Sequence, residues 1–192
     1  MVLAPLAIEA WTMRRAVPGA TVLKTGLGQQ NSTNALSAID GIGAEIVVIA
    51  GFCGALDPAL EPGELVVACE LRGPDGSSLA LESDPLVSAL QRDGITSRSG
   101  VIITADHAVR GDERIALFQA GGTAADMESA WLAPAAQSRP LAIIRAVVDT
   151  PARELFHPLA TIFGGVRALR ALLRTGPALE EWALDRQNRV DI

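Results

Sequence analysis

Two runs of branched apolar residues constrain this chain more than any other feature: Glu45-Ile46-Val47-Val48-Ile49-Ala50 and the segment from Leu141 to Val148. A strand with one wet face alternates apolar and polar side chains. Here apolar residues occupy consecutive positions, so both faces of each strand must be buried, as in the middle of a largely parallel sheet. Parallel neighbours need long crossovers, and helices supply them. The expected class is therefore α/β, and 192 residues suffice for one domain, residues 1–192, with a full core.

The rest of the chain fits that pattern. Val2-Leu3-Ala4, Thr21–Thr25, Leu65–Ala68 and Val101–Thr104 read as further strands. Glu9–Val17 and Asn31–Ile39 read as helices, the second with Asn31 or Ser32 as its cap. Ala125–Ala136 is expected as the helix before the Leu141 strand, and Gly73-Pro74-Asp75-Gly76-Ser77-Ser78 as an internal loop. Near the end, Leu159, Ile162, Phe163, Val166, Leu169, Leu172 and Leu173 recur at helical spacing, with Arg167, Arg170 and Arg174 on other faces. That segment reads as a helix packed on the sheet; the alternative is a basic amphipathic surface touching a membrane or a lipid substrate.

Composition excludes several classes. A net charge of −6 argues against a general nucleic-acid binder, which needs a basic surface. Lys24 is the only lysine, a compositional bias without functional content. Cys53 and Cys69 are too few for a disulfide framework and form no CxxC pair. Residues Met1–Ala10 include Glu9 and lack the pattern of a signal peptide. No uncharged apolar stretch is long enough for a membrane span. The expected compartment is the cytoplasm.

The carboxylates are the candidate chemistry. Asp149 closes the run Leu141–Val148, which also contains Arg145. In α/β sheets ligands collect at the carboxyl ends of strands, where a partly desolvated acid can act as a general acid. An ordinary turn aspartate before Thr150-Pro151 accounts for it equally well. Asp126-Met127-Glu128 follows Gly121-Gly122 and opens the expected helix, so dipole capping explains these acids on their own. Glu9 is open to the same explanation. Gly51-Phe52-Cys53-Gly54 is expected as a sharp turn after the first buried strand, but Ala55 leaves the G-x-C-x-G elbow of a cysteine hydrolase incomplete. The more common role for Cys53 is a buried, inert thiol. His107 and His157 are the only histidines, and with scattered cysteines they suggest no metal site. Gly26-Leu27-Gly28 is too short for a dinucleotide motif, and no cofactor is expected.

Together these segments resemble the nucleoside phosphorylase and nucleosidase superfamily, which includes methylthioadenosine/S-adenosylhomocysteine nucleosidases. The matching blocks are Glu9 after the first strand, Gly26-Leu27-Gly28, Gly51-Phe52-Cys53-Gly54-Ala55-Leu56 continuing to Leu60-Glu61-Pro62-Gly63-Glu64-Leu65-Val66-Val67, and Ala125-Asp126-Met127-Glu128 with Arg145 and Asp149 downstream. The resemblance implies a three-layer αβα domain with a mixed, largely parallel twisted sheet. It also implies that Asp149 protonates a purine at N7, that Glu128 accepts hydrogen bonds from the ribose hydroxyls, that Met127 packs on the sugar, and that Glu9 orients or deprotonates water. Asp126, Phe52, Cys53, Gly54, Arg145 and His107 complete the implied substrate-binding set.

The departures from the family carry information. Hexameric bacterial nucleoside phosphorylases resemble this chain but place an arginine just before the Gly51 turn and a serine at position 52; here Ile49 and Phe52 stand there. Water is thus the expected nucleophile. The aromatic contact to the base expected near Ala108 is missing, leaving His107 or Phe52 to finish that pocket. Leu56-Asp57-Pro58, Asp126-Met127-Glu128-Ser129 and the tail Leu169–Arg174 leading to Pro177 are similar to the hopanoid-associated phosphorylase group, whose members release adenine from adenosylhopane. The resemblance therefore implies a purine nucleosidase acting on a 5′-modified adenosine with a lipid-like tail, a homodimer, and peripheral membrane contact at most. Alternatives are a phosphate-dependent phosphorylase, a methylthioadenosine/S-adenosylhomocysteine or futalosine nucleosidase, and a non-catalytic nucleoside-binding domain.

Overall fold

The computed structural model describes residues 1–39, 41–151 and 158–190, with the side chains of 158–163 and 189–190 left aside. His157 and the expected helix-face side chains of Leu159, Ile162 and Phe163 therefore lie outside the described residues. In chain order the elements are β1 (Val2–Ala4), α1 (Ala7–Ala16), β2 (Val22–Lys24), α2 (Gly28–Ile39), β3 (Val47–Ala55), β4 (Leu65–Arg72), β5 (Ser78–Ala80), α3 (Asp84–Arg92), β6 (Ser97–Thr104), α4 (Gly111–Gln119), β7 (Ala124–Asp126), α5 (Ser129–Leu132), a 3-10 turn (Ala133–Ala136), β8 (Leu141–Asp149), α6 (Pro158–Arg174) and α7 (Gly176–Val190).

The sheet is mixed and largely parallel. β1 pairs in parallel with β2 and β3, β3 with β8, β4 with β6, and β6 with β7. The antiparallel pairs are β3 with β7, β4 with β5 and β4 with β8. Tracing these pairs closes a ring: β3, β8, β4, β6, β7 and back to β3. β1 and β2 extend it from β3, and β5 from β4.

The two branched runs are central strands. Along β3, Val48 and Ala50 enter one apolar core while Val47, Ile49 and Cys53 enter another on the opposite face. Consecutive apolar residues are needed because both faces are covered.

Three local expectations are corrected. The segment Gly51–Gly54 is not a sharp turn; β3 runs on to Ala55, and its pairing with β8 shifts register between Cys53 and Gly54. Ala125–Ala136 is not one helix. Ala124, Ala125 and Asp126 pair with Ile102, Ile103 and Thr104 of β6, so ring closure overrides alanine's helical preference. Pro134 then confines the remainder of the segment to one short turn of helix and a 3-10 turn. Helix α2 begins at Gly28, so Asn31 and Ser32 lie inside it rather than at its cap.

Helix α6 packs on the sheet as expected, with Leu172 of the expected face in the core, but among the described side chains small residues share the inner face. Its buried side is Gly164, Ala168, Ala171 and Leu172, while Val166 and Leu173 are exposed. Small residues are required there because a Cβ on Gly164 would lie 2.1 Å from the Val148 carbonyl oxygen. Among the described residues no helix is long and apolar enough to cross a membrane.

Candidate active site

A cleft opens where the carboxyl ends of several strands converge. Leu6 follows β1 and Leu27 follows β2; Phe52, Cys53 and Gly54 come from the end of β3. The loop after β6 supplies His107 to Arg110, and α4 supplies Arg114. Ala125 to Glu128 and Val148-Asp149, at the ends of β7 and β8, complete the wall together with Glu9.

Glu9 is the third residue of α1. Its Oε2 accepts the Leu6 amide at 2.6 Å, the back-bond of a helix N-terminus. Its Oε1 accepts the Phe52 amide at 2.7 Å. The capping role read from sequence is thus half of what Glu9 does, since the other oxygen reaches β3 in the cleft wall. Burial raises its pKa above the ordinary carboxylate value, opposed by the nearby Arg145 charge and by the two amide bonds.

Arg145 organises the acids from behind. Its side chain is fully buried behind the residues that line the cleft, so it meets the acids rather than the open space. Nη2 donates to Ser129 Oγ at 2.8 Å, and Nη1 donates to the Phe52 carbonyl at 3.4 Å. Nε lies 2.8 Å from Asp126 Oδ2 and Nη1 3.8 Å from Glu128 Oε2. The first is an ion-pair contact without hydrogen-bond alignment, because Asp126 Oδ2 accepts no hydrogen bond. Burial opposes the guanidinium charge, but Asp126, Glu128 and Glu9 together outweigh it and raise its pKa. Gly51 makes room for this network: a Cβ there would lie 2.6 Å from Arg145 Nη1 and 2.8 Å from Glu9 Oε1.

Asp126 belongs to the scaffold. Its Oδ1 accepts from Thr104 Oγ1 at 2.7 Å and from the amides of Glu128 and Ser129 at 3.3 and 3.2 Å. These bonds turn the chain sharply after β7 and present Met127 and Glu128 to the cleft. Glu128 Oε1 accepts the Gly28 amide at 3.1 Å, satisfying the first amide of α2. Burial raises the Glu128 pKa, against the pull of Arg145.

At the other end of the cleft Asp149 pairs with Arg114, Oδ2 to Nη2 at 2.8 Å, with both side chains about 95% buried. Gly54 allows their approach to β3, since a Cβ there would lie 2.8 Å from Asp149 Oδ1 and 2.9 Å from Arg114 Nη2. Cys53 is buried, and burial pushes its thiol pKa well up, away from the thiolate form that a nucleophile uses. His107 stands exposed at the mouth, with Nδ1 2.6 Å from Asp106 Oδ1 and Nε2 2.9 Å from Glu113 Oε2. The Asp106 and Glu113 bonds raise its pKa.

Glu9, Phe52, Cys53, Gly54, His107, Asp126, Met127, Glu128 and Asp149 thus converge on one cleft. Sequence reasoning missed Arg114 and Thr104, and it named Gly28 as part of a matching block without its bond to Glu128. Arg114 had no signal, because it sits among ordinary helix formers.

The matching family model is the phosphorylase superfamily, over residues 12–163. This chain belongs to the phosphorylase superfamily. Comparison with curated protein sequences returned no match. Among solved structures the chain is similar to futalosine hydrolase of Helicobacter pylori strain 26695, with 17% identity, coverage of 94% of this chain and 96% of that one, and a TM-score of 0.80. It is also similar to the Helicobacter pylori 5′-methylthioadenosine/S-adenosylhomocysteine nucleosidase bound to butyl-thio-DADMe-Immucillin-A, at 18% identity, 96% coverage of both chains and a TM-score of 0.76. A third is the S-adenosylhomocysteine nucleosidase of Streptococcus pyogenes in complex with 5-methylthiotubericidin, at 18% identity, coverage of 91% and 94%, and a TM-score of 0.74. At these identities the likeness is one of fold.

Proposed function

We propose that this superfamily member is a purine nucleosidase that hydrolyses the N-glycosidic bond of a 5′-modified adenosine and releases adenine. The observation that carries this reading is the convergence of Glu9, Met127, Glu128 and Asp149 on one cleft. Glycosidic cleavage passes through an oxocarbenium-like state, which anionic groups near the sugar stabilise. In this reading Glu128 grips the ribose hydroxyls, Met127 packs on the sugar, Asp149 delivers a proton to N7 and Glu9 takes one from water. The solved structures of similar fold include proteins named as nucleosidases and a futalosine hydrolase, which supports the same class.

In this reading water is the nucleophile, because Ile49 and Phe52 stand where the hexameric phosphorylases place an arginine and a serine, and each buried guanidinium of the site is paired with a carboxylate. Arg145 is engaged by Asp126, Glu128 and Ser129, and Arg114 by Asp149. Ile49, at the position read from sequence as a phosphate-binding arginine elsewhere, is fully buried in the core. For the 5′ substituent the best reading is a lipid-like tail, as in adenosylhopane. Its support is the subgroup resemblance of the sequence and the apolar Leu6, Leu27 and Val148 in the cleft wall. Exposed Val166 and Leu173 beside Arg167, Arg170 and Arg174 on α6 suit peripheral contact with a lipid surface, and exposed Ile8 and Trp11 on α1 suit a homodimer contact.

The test is a product assay with 5′-substituted adenosines, including methylthioadenosine, futalosine and a lipid-tailed nucleoside, with and without phosphate. Free base is expected without phosphate, fastest from the lipid-tailed member. A strict phosphate requirement assigns a phosphorylase, and tight binding without base release assigns a binding domain.

A further inference from the structure

Helix α4 is built inside out. Its only buried residue is Arg114, while Ile115 and Phe118 on the same helix are exposed. A soluble helix ordinarily turns its apolar side chains inward, and burying a guanidinium is costly unless its charge is matched. The match here is Asp149, at 2.8 Å. Nη2 also donates to the Val109 carbonyl at 3.3 Å, whereas Nε and Nη1 are buried without acceptors. These two bonds of the arginine both run through Nη2, the shorter of them to the Asp149 carboxylate. Gly54 is the third part of the arrangement, because any side chain there would enter the space between Asp149 Oδ1 and Arg114 Nη2.

We infer that Arg114 is a positioning residue for Asp149, holding its carboxyl at the base end of the cleft and stabilising the carboxylate that remains after it gives up its proton. The inference rests on the nucleosidase reading above. In the step concerned, the proton leaves Asp149 for a ring nitrogen of the purine. The C–N glycosidic bond breaks and its electron pair goes to the base. Water forms the new C–O bond and its proton passes to Glu9. Asp149 ends this step as a buried anion, a state that burial alone would oppose. A fixed guanidinium lowers the cost of reaching it and makes Asp149 the stronger acid.

The groups around the pair come from several elements. Cys53 of β3 feels both Asp149 and Arg114, and also Asp126 of β7 and Arg145 of β8. His107 and Arg110 line the same cleft from the loop before α4. Of these groups Arg114 is in direct ion-pair contact with the Asp149 carboxylate.

The test is the pH profile of base release by Arg114→Met, which keeps the length of the stem and removes the charge, beside Arg114→Lys. The alkaline limb of kcat reports loss of the acid's proton. In Arg114→Met that limb is expected to move to higher pH by about one unit or more, with kcat at the optimum down about tenfold or more. In Arg114→Lys the limb stays nearer its original position. Arg114→Gln gives the same reading if the methionine variant does not fold, and circular dichroism checks each variant. A folded neutral variant whose limb does not move overturns the inference, even if its rate is lower at every pH. Failure of the underlying reading looks different: Asp149→Asn then keeps full activity.

Discussion

Glu128 and Gly28, 100 residues apart in the chain, are joined by a hydrogen bond of 3.1 Å from the Gly28 amide to Glu128 Oε1. The carboxylate assigned to the ribose also starts helix α2. The two roles separate by substitution. Glu128→Gln keeps an acceptor for the Gly28 amide, so thermal stability should change little while KM for the nucleoside rises about tenfold or more. Glu128→Ala removes both functions and should also cost about 1–2 kcal/mol in denaturant unfolding.

Glu9 admits a sharper version of the same test. Both its oxygens accept backbone amides, so Glu9→Gln must turn an NH2 group against one of them. Unlike Glu128→Gln, this variant should lose about 1–3 kcal/mol of stability, and base release should fall about 10²–10⁴-fold. Urea titration and single-turnover assays read the two effects separately. A Glu9→Gln enzyme with wild-type turnover removes the proposed base.

Burial raises the pKa of Glu9 and of Glu128. Between the ordinary and the raised value the folded chain binds more protons than the unfolded one, so stability falls as pH rises through that window. A base must be ionised to act, so activity rises through the same window. The acid limb of kcat/KM is therefore expected above the usual carboxylate range, with Tm falling over the interval where activity climbs. An acid limb at ordinary carboxylate pH contradicts this assignment.

Arg145 predicts a stability effect out of proportion to its chemistry. Arg145→Met leaves Glu9, Asp126 and Glu128 buried together without their cation and is expected to cost about 3–5 kcal/mol. Thermal and denaturant unfolding measure it. A loss of less than about 1 kcal/mol would mean that the acids take up protons instead, which direct proton-uptake titration detects.

Cys53 and Cys69 should behave differently toward a thiol reagent. Cys53 is buried with a raised thiol pKa, whereas Cys69 is partly accessible. In the folded protein one thiol, Cys69, should react first, with base release unaffected. Peptide mapping after limited alkylation decides it, and inactivation that tracks Cys53 labelling would restore the cysteine-hydrolase reading.

Much of the fold was legible because burial on both faces writes itself into a strand as consecutive apolar residues, as in Val47–Ala50 and Ile143–Ile144. Ala125–Ala136 was misread for the opposite reason. Alanine carries no pattern, and the strand Ala124–Asp126 exists because β3 and β6 lie ready to pair with it. Val166 and Leu173 of α6 misled likewise: Leu172 is buried as its spacing predicts, but the close contact with Val148 selects Gly164 for the inner face. For the cleft, the acids were visible as residue types at strand ends. Their supports were not: Arg114 and the Gly28 amide come from distant segments, and only the folded chain brings them to Asp149 and Glu128.

The closed path β3–β8–β4–β6–β7 has a consequence for how these molecules behave in a crowded solution. Its five strands each have neighbours on both sides along part of their length, and among the described residues the borders of the sheet fall on β2 and β5, of three residues each. Lys24 is exposed on the first, and the second is fully exposed with Ser78 at its start. A border only three residues long is a poor template for a foreign strand. The long apolar strands that build the cleft are thereby kept from the intermolecular pairing that leads to aggregation.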